Sequence, residues 1–311
     1  MINFKCAICD DSRIRRVISR RVGGQVIECD NCGHLMLWPL LNDKEVLAQY
    51  TYSEVIESKE TGAAILDNMA FKLLKRGDKR ENLSVLDIGC GLGEFLNVCK
   101  KSAYNVIGID ITKSVVNSLN EKGYEVYQKS LSDYCEMGKS FDWVSCLNLI
   151  EHVNNPMEAI EQLASLVKSK GRLVIQTPNG DAIKKYGERA YGLHVDKEHL
   201  NYFSADQLVK LFNKYNFKLK VKKYYPSSIR LGRVPVPKKN NAHEAKFILN
   251  IDDQYYRKLS NPTGVRTIVE KLPPTIRGTA RSFAQIVRYI ASIDEILKGK
   301  SHEFIIVLER E

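Results

Sequence analysis

Along residues 84–176 apolar residues gather in short runs that end at glycine or polar residues, with stretches of helical character between them. Residues 84–96 read as a strand entering a glycine-rich turn and then a helix. Asn105–Asp110 and Phe141–Cys146 repeat the strand pattern, Asn154-Asn155-Pro156 opens a helix, and Gly171–Asn179 is a further strand with its exit. Strands alternating with helices predict an α/β fold with a doubly wound, mostly parallel sheet and a ligand at the carboxyl ends of its strands. Upstream, Ile14–Ser19 and Gln25–Glu28 flank Gly23-Gly24 and predict a β-hairpin.

With 311 residues, 44% hydrophobic and 27% charged, the chain has the make-up of an ordinary folded protein, with room for one full-sized domain and a smaller unit. No apolar run approaches the ~18 to 20 residues of a membrane span, and the opening Met1–Cys6 segment lacks the features of a signal peptide. A cytoplasmic location is expected, and in that reducing compartment clustered cysteines point to a metal before a disulfide. The net charge of +10 suits an acidic partner, whether nucleic acid, nucleotide-sugar, lipid-linked substrate or anionic membrane, without choosing among them.

Cys6 and Cys9, then Cys29 and Cys32, form two C-x2-C pairs separated by nineteen residues, within the spacing range of zinc ribbons. The hairpin delivers the second pair back to the first, so a structural zinc is expected, closed to water by four thiolates. Gly33 suits the tight turn of the second knuckle, whereas Asp10 makes the first knuckle the less regular half. His34 is read as a knuckle-flanking residue, since four better ligands are already present.

Gly89, Gly91 and Gly93 form G-x-G-x-G, and Glu94 stands where the dinucleotide fingerprint requires its last glycine, which argues against NAD. With Asp87 before the turn and Asp110 ending the next strand, two carboxylates are placed for a cationic sulfonium amino acid and a ribose diol. Val85–Gly93 resembles the first motif of the class I S-adenosylmethionine methyltransferases, and Gly108-Ile109-Asp110 resembles the end of their second strand. Phe141-Asp142 and Glu151-His152-Val153 resemble that family's residues around the fourth strand. The resemblance covers residues 81–225. It implies a seven-stranded sheet, with the loop Gly89, Cys90, Gly91 and Gly93 around the methionine part of S-adenosylmethionine and Asp110 on the ribose hydroxyls. Asp87, Ile111 and Asn148 complete the cofactor contacts it implies.

The cysteine knuckle followed by Pro39, Leu41 and Tyr50 also resembles a bacterial subgroup of small-molecule and glycan methyltransferases. The expected plan is a zinc ribbon over 1–50, a helical linker over 51–80 and the methyltransferase domain over 81–311. Phe217–Tyr225 and His302–Glu309 read as its sixth strand and antiparallel seventh. Between them, about 226–301 is an insertion with helical patterns near 245–256 and 282–297, read as a lid or a homodimer contact.

Substrate should approach over residues 179–204, which leave the fifth strand on the cofactor side and carry Tyr186, Arg189, Tyr191, His194, His199 and Tyr202. An acceptor oxygen or nitrogen loses a proton as the methyl arrives, so His199 and His152 are the candidate general bases. The other reading of His199 is a brace for its loop. Cys146 is read as strand core, because Ser145 stands where cytosine C5 methyltransferases have proline.

The expected acceptor is a small molecule, nucleotide-linked sugar or glycan precursor. RNA is the alternative, favoured by eight basic residues and no acidic one over Lys218–Lys239. It is opposed by Asn148-Leu149-Ile150-Glu151, which replaces the Asn/Asp-Pro-Pro-Tyr motif of amino-directed nucleic-acid enzymes. A non-catalytic scaffold is the third reading, opposed by the intact glycine loop and both carboxylates.

Overall fold

The computed structural model describes residues 4–20, 24–41, 62–190, 193, 198–225 and 303–311. The expected insertion and its helical patterns lie outside the described residues, as do Tyr50, Tyr191 and His194.

The N-terminal residues form β1 (Ile14–Ser19), β2 (Gln25–Cys29) and β3 (Leu35–Trp38). Helix α1 (Gly62–Lys75) leads to β4 (Ser84–Ile88), α2 (Glu94–Lys101), β5 (Asn105–Asp110), α3 (Lys113–Glu121), β6 (Glu125–Gln128) and α4 (Leu131–Cys135). The chain continues through β7 (Phe141–Leu147), a 3-10 turn (Ile150–His152), α5 (Pro156–Ser165), β8 (Val167–Pro178), α6 (Gly180–Tyr186) and β9 (Asn201–Tyr202). It closes with α7 (Ala205–Asn213), β10 (Phe217–Tyr225) and β11 (Glu303–Arg310).

Seven strands form one sheet in the order β10-β11-β8-β7-β4-β5-β6. Strands β4 to β8 run parallel, while β11 is antiparallel to both β8 and β10. This is the mostly parallel, doubly wound sheet that the strand and helix alternation predicts, with its reversed strand starting at Glu303.

Successive side chains of β4 and β7 go to opposite faces, and each face is covered by helices. Leu86, Ile88, Val144 and Cys146 join one apolar cluster with Ile160 and Leu163 of α5 and Leu208 and Phe212 of α7. Val85 and Trp143 join the other, with Leu66 and Phe71 of α1 and Phe95 and Cys99 of α2. Burial on both faces explains why these strands are nearly continuous apolar runs without polar alternation. The winding goes β4 to β6 outward on one side and restarts at β7 on the other, so the crevice for a ligand lies beyond the carboxyl ends of β4 and β7.

Strands β1, β2 and β3 form an antiparallel meander, and β9 adds to its edge as a fourth strand. A segment from the far end of the main body thus completes the N-terminal sheet. Among the described residues, no helix is long and apolar enough to cross a membrane.

Candidate functional site

The loop after β4 turns on left-handed glycines. Gly89 has φ 68° and Gly93 φ 77°, and a Cβ on Gly93 would stand 2.6 Å from Leu119 Cδ2. The positive φ favours glycine there, and an added side chain would have to displace Leu119. The N–H groups of Gly89 and Cys90 donate to Ile109 O at 2.9 and 3.1 Å, clamping the loop against the end of β5.

Asp110 ends β5 with both carboxylate oxygens engaged by backbone. Gly91 N–H donates to Oδ2 at 3.0 Å, and Thr112 N–H donates to Oδ1 at 2.8 Å. Each oxygen keeps a lone pair for an incoming hydroxyl. Beside the loop and Asp110, Leu92 and Ile111 leave 41% and 40% of their surfaces exposed, apolar area that a flat heterocycle can cover.

Asp87 sits behind the loop, buried. Burial pushes its carboxyl up to about 7, although Ser145 Oγ donates to Oδ1 at 2.6 Å; the nearby charge of Asp110 adds to the rise. A cationic group arriving here would restore the carboxylate. Asn148, just past the end of β7, adopts φ 52° and donates its N–H to Gln176 O at 2.9 Å.

A second group of titratable side chains is built from the 3-10 turn and the segment before β9. The ligand atoms of Glu151, His152 and His199 all lie within 4.8 Å of one another, and the two imidazole centroids are 4.8 Å apart. His152 Nδ1 lies 3.1 Å from Glu198 O. A carbonyl only accepts, so the proton is assigned to Nδ1 and the basic lone pair of the neutral ring to Nε2.

Glu151 is fully buried, and burial pushes it up to about 7, with the charge of His199 pulling the other way. Thr177 Oγ1 donates to its Oε2 at 2.8 Å, while Oε1 makes no hydrogen bond among the described residues and stands 4.0 Å from His152 Nε2. Sequence reasoning passed over Glu151 as a separate site residue, and Ser145 as the donor to Asp87. The signal for both was adjacency to residues already singled out, Glu151 beside His152 and Ser145 beside Cys146.

The four N-terminal cysteines come together as their spacing predicts. Cys6 Sγ and Cys32 Sγ are 3.5 Å apart, Cys9 Sγ and Cys29 Sγ 3.6 Å, and all four sulfurs lie within 4.8 Å of one another. These separations are far beyond a disulfide's ~2.05 Å. They approach the ~3.8 Å edge of a tetrahedron with Zn–S bonds of ~2.3 Å, so the donor set fits that metal. The hydrogen bond with Cys32, joined by the backbone at Ile8 and Cys9, pulls the Cys6 thiol down to about 5 against its burial. The two knuckles prove equivalent: Asp10 N–H donates to Cys6 O at 2.9 Å and Gly33 N–H to Cys29 O at 3.0 Å. Asp10 takes φ 59° and Gly33 φ 68°, so the aspartate performs the same left-handed turn. Cys146 lies buried in the sheet core, where burial pushes its thiol up.

The family profile described as Methyltransferase domain matches residues 59–221. An uncharacterized protein of Methanocaldococcus jannaschii is 32% identical over 113 residues, 36% of this chain and 48% of its own length. A ubiquinone biosynthesis O-methyltransferase of Rickettsia bellii is 35% identical over 103 residues, 32% of this chain and 43% of that one. The chain spans about half the length of these curated relatives. The crystal structure of an S-adenosylmethionine-dependent methyltransferase from Archaeoglobus fulgidus aligns at 18% identity with a TM-score of 0.48, over 80% of this chain and 93% of that one. Because the matched residues 59–221 make up just over half of its length, the chain belongs to the methyltransferase-domain family.

Proposed function

We propose that the protein transfers a methyl group from S-adenosylmethionine to an oxygen or nitrogen of a small molecule, nucleotide-linked sugar or glycan precursor. The observation that carries this reading is the Asp110 carboxylate, fixed by the Gly91 and Thr112 amides at the sheet's switch point with both oxygens turned to accept. When bound, the cofactor supplies an electrophilic methyl on a sulfonium. Asp110 accepts from the ribose hydroxyls, Asp87 faces the cationic end, and the loop Gly89, Cys90, Gly91 and Gly93 closes on the methionine chain. Ile111 and Asn148 line the remaining sides.

An acceptor oxygen or nitrogen that took the methyl would have a proton to lose, and a histidine of the Glu151, His152 and His199 group would accept it. His152 presents Nε2 as its basic atom, and His199 adjoins it within the same buried cluster. Glu151 stabilises whichever ring takes the proton, which divides the work between positioning and a modest proton transfer.

The four thiolates hold a structural zinc, with no open position for water. The similarity to the Rickettsia bellii ubiquinone biosynthesis O-methyltransferase agrees with a small acceptor. What supports a small molecule over RNA lies in the described part of the basic run, residues 218–225, where Lys218, Lys220 and Lys222 each pair with an acidic side chain, Glu311, Glu309 and Asp206 respectively. The insertion at about 226–301 is the proposed lid or homodimer contact.

Calorimetric titration with S-adenosylhomocysteine tests the assignment. One site per chain is expected, and absence of heat and of competition by S-adenosylmethionine would refute it.

A further inference from the structure

We propose that the four-cysteine module positions the acceptor-side histidine: Arg20 and His34 are positioning residues that reach from the module into residues 199–203 and fix them against the 3-10 turn. This rests on reading His199 as part of the acceptor side.

Three sets of contacts lead from the thiols to the histidine. The first is backbone. Leu35 and Met36 of β3 pair with Tyr202 and Asn201 of β9, and Leu37 N–H donates to Leu200 O at 2.7 Å. The module's sheet therefore ends on the strand that follows His199.

The second is Arg20, at the end of the hairpin's first arm and only 8% exposed. Its Nη1 donates to His199 O at 2.9 Å and to Tyr202 Oη at 3.2 Å, straddling the segment. A guanidinium taken this far out of water is costly unless its fork is used, so its reach to His199 is a specific contact.

The third is His34, fully buried two residues beyond Cys32. Its carbonyl accepts from Cys29 N–H at 2.9 Å, so the second knuckle holds it directly. Its Nε2 lies 3.0 Å from Asn201 Oδ1, and Asn201 Nδ2 is committed to Val153 O at 2.7 Å. His34 Nε2 must then carry the proton, leaving Nδ1 as an acceptor. Gln207 Oε1 stands 3.3 Å from that Nδ1 while Gln207 Nε2 is buried without a hydrogen bond. Exchanging the two ends of the amide lets Nε2 donate to Nδ1 and places Oε1 in the buried position that has no hydrogen-bond partner among the described residues. The ring also packs at 4.9 Å from Phe203.

His34 thus joins the knuckle to Asn201 and, through it, to the residue after His152. Arg20 joins the same module to His199. Both candidate bases are thus tied to the same module, and among the described residues no hydrogen bond joins either positioning residue to the glycine loop.

The experiment compares amide exchange over residues 198–204 and the His199 Cε1–H resonance in the full zinc-loaded chain. The variants are Arg20→Met, Arg20→Lys, His34→Leu and His34→Gln, with S-adenosylhomocysteine affinity measured alongside. Arg20→Met and His34→Leu should speed exchange at Leu200 and Tyr202 about tenfold or more. They should also displace the His199 resonance while holding affinity within about threefold. Arg20→Lys and His34→Gln, which keep a donor, should recover a large part of both signals.

Wild-type exchange and an unmoved resonance in the apolar variants would overturn the proposal. So would equal losses in the conservative and apolar pairs, or cofactor affinity collapsing together with protection, since the module would then support the whole domain. If the wild type fails to bind S-adenosylhomocysteine, the cofactor reading falls alone, and the exchange and resonance comparison still decides the positioning role.

Discussion

The glycine loop and the cysteine module solve the same local problem, a chain reversal through left-handed backbone, by different means. At Gly93 the turn is pressed against Leu119, with 2.6 Å between a notional Cβ and Cδ2, so packing and the positive φ together favour glycine. At Asp10 the side chain points to solvent and pairs with Lys5, and the turn is dictated by two sulfurs that must face one centre. One region is specified by steric exclusion, the other by ligand chemistry. They should therefore fail differently.

The largest effect expected is on the module. Stripping zinc with a chelator, or replacing Cys29 with serine, should unfold residues 4–41, because metal binding supplies most of a small module's folding energy, ~10 kcal/mol or more. Affinity for S-adenosylhomocysteine should change little, since the glycine loop shares no hydrogen bond with the thiols. Metal analysis with amide exchange checks this, and a module that stays protected without metal would contradict it.

Next comes Gly93→Ala. Strain at a positive φ and the overlap with Leu119 together should cost about 2 to 4 kcal/mol in denaturant unfolding and weaken cofactor binding as the loop shifts. Asp10→Gly is the matching probe of the other region and the smallest effect here, a melting temperature within about 2 °C of wild type.

Between them lies a pH effect at Asp87. Its carboxyl, held near 7 by burial, must ionise to face a cationic ligand, so affinity for S-adenosylmethionine should rise with pH through that value. Binding about tenfold weaker at about pH 6 than at pH 8 is expected in wild type, and none of that slope in Asp87→Asn. Stability of the unliganded protein runs the other way. The raised carboxyls of Asp87 and Glu151 contribute stability that is fully present below about pH 4 and lost as pH climbs through about 7.

The comparison also separates what the sequence discloses from what it hides. The proposed cofactor side is assembled mainly from residues 84–112, adjacent in the chain, so its strand, turn and acidic strand end can be read directly. The cysteine pairs are legible for a related reason, because ligand spacing is a short-range constraint. Arg20 and His34 carry no such mark. Their partners, His199 and Asn201, lie more than 160 residues away, and nothing in local periodicity announces a fourth strand at Asn201-Tyr202. His34 reads from sequence as a bystander of the knuckle, yet folding sets it between the knuckle and Asn201 of β9. Glu151 was hidden differently, since its burial depends on the whole body closing around the 3-10 turn.

The central claim is that this fold holds S-adenosylmethionine on the Asp110 carboxylate, and calorimetry of Asp110→Ala against wild type tests it most directly. Loss of a charge-assisted hydrogen-bond acceptor should weaken S-adenosylhomocysteine binding by ~1.5 to 3 kcal/mol while zinc content stays unchanged. An unaltered affinity in a folded, zinc-loaded variant would contradict the account.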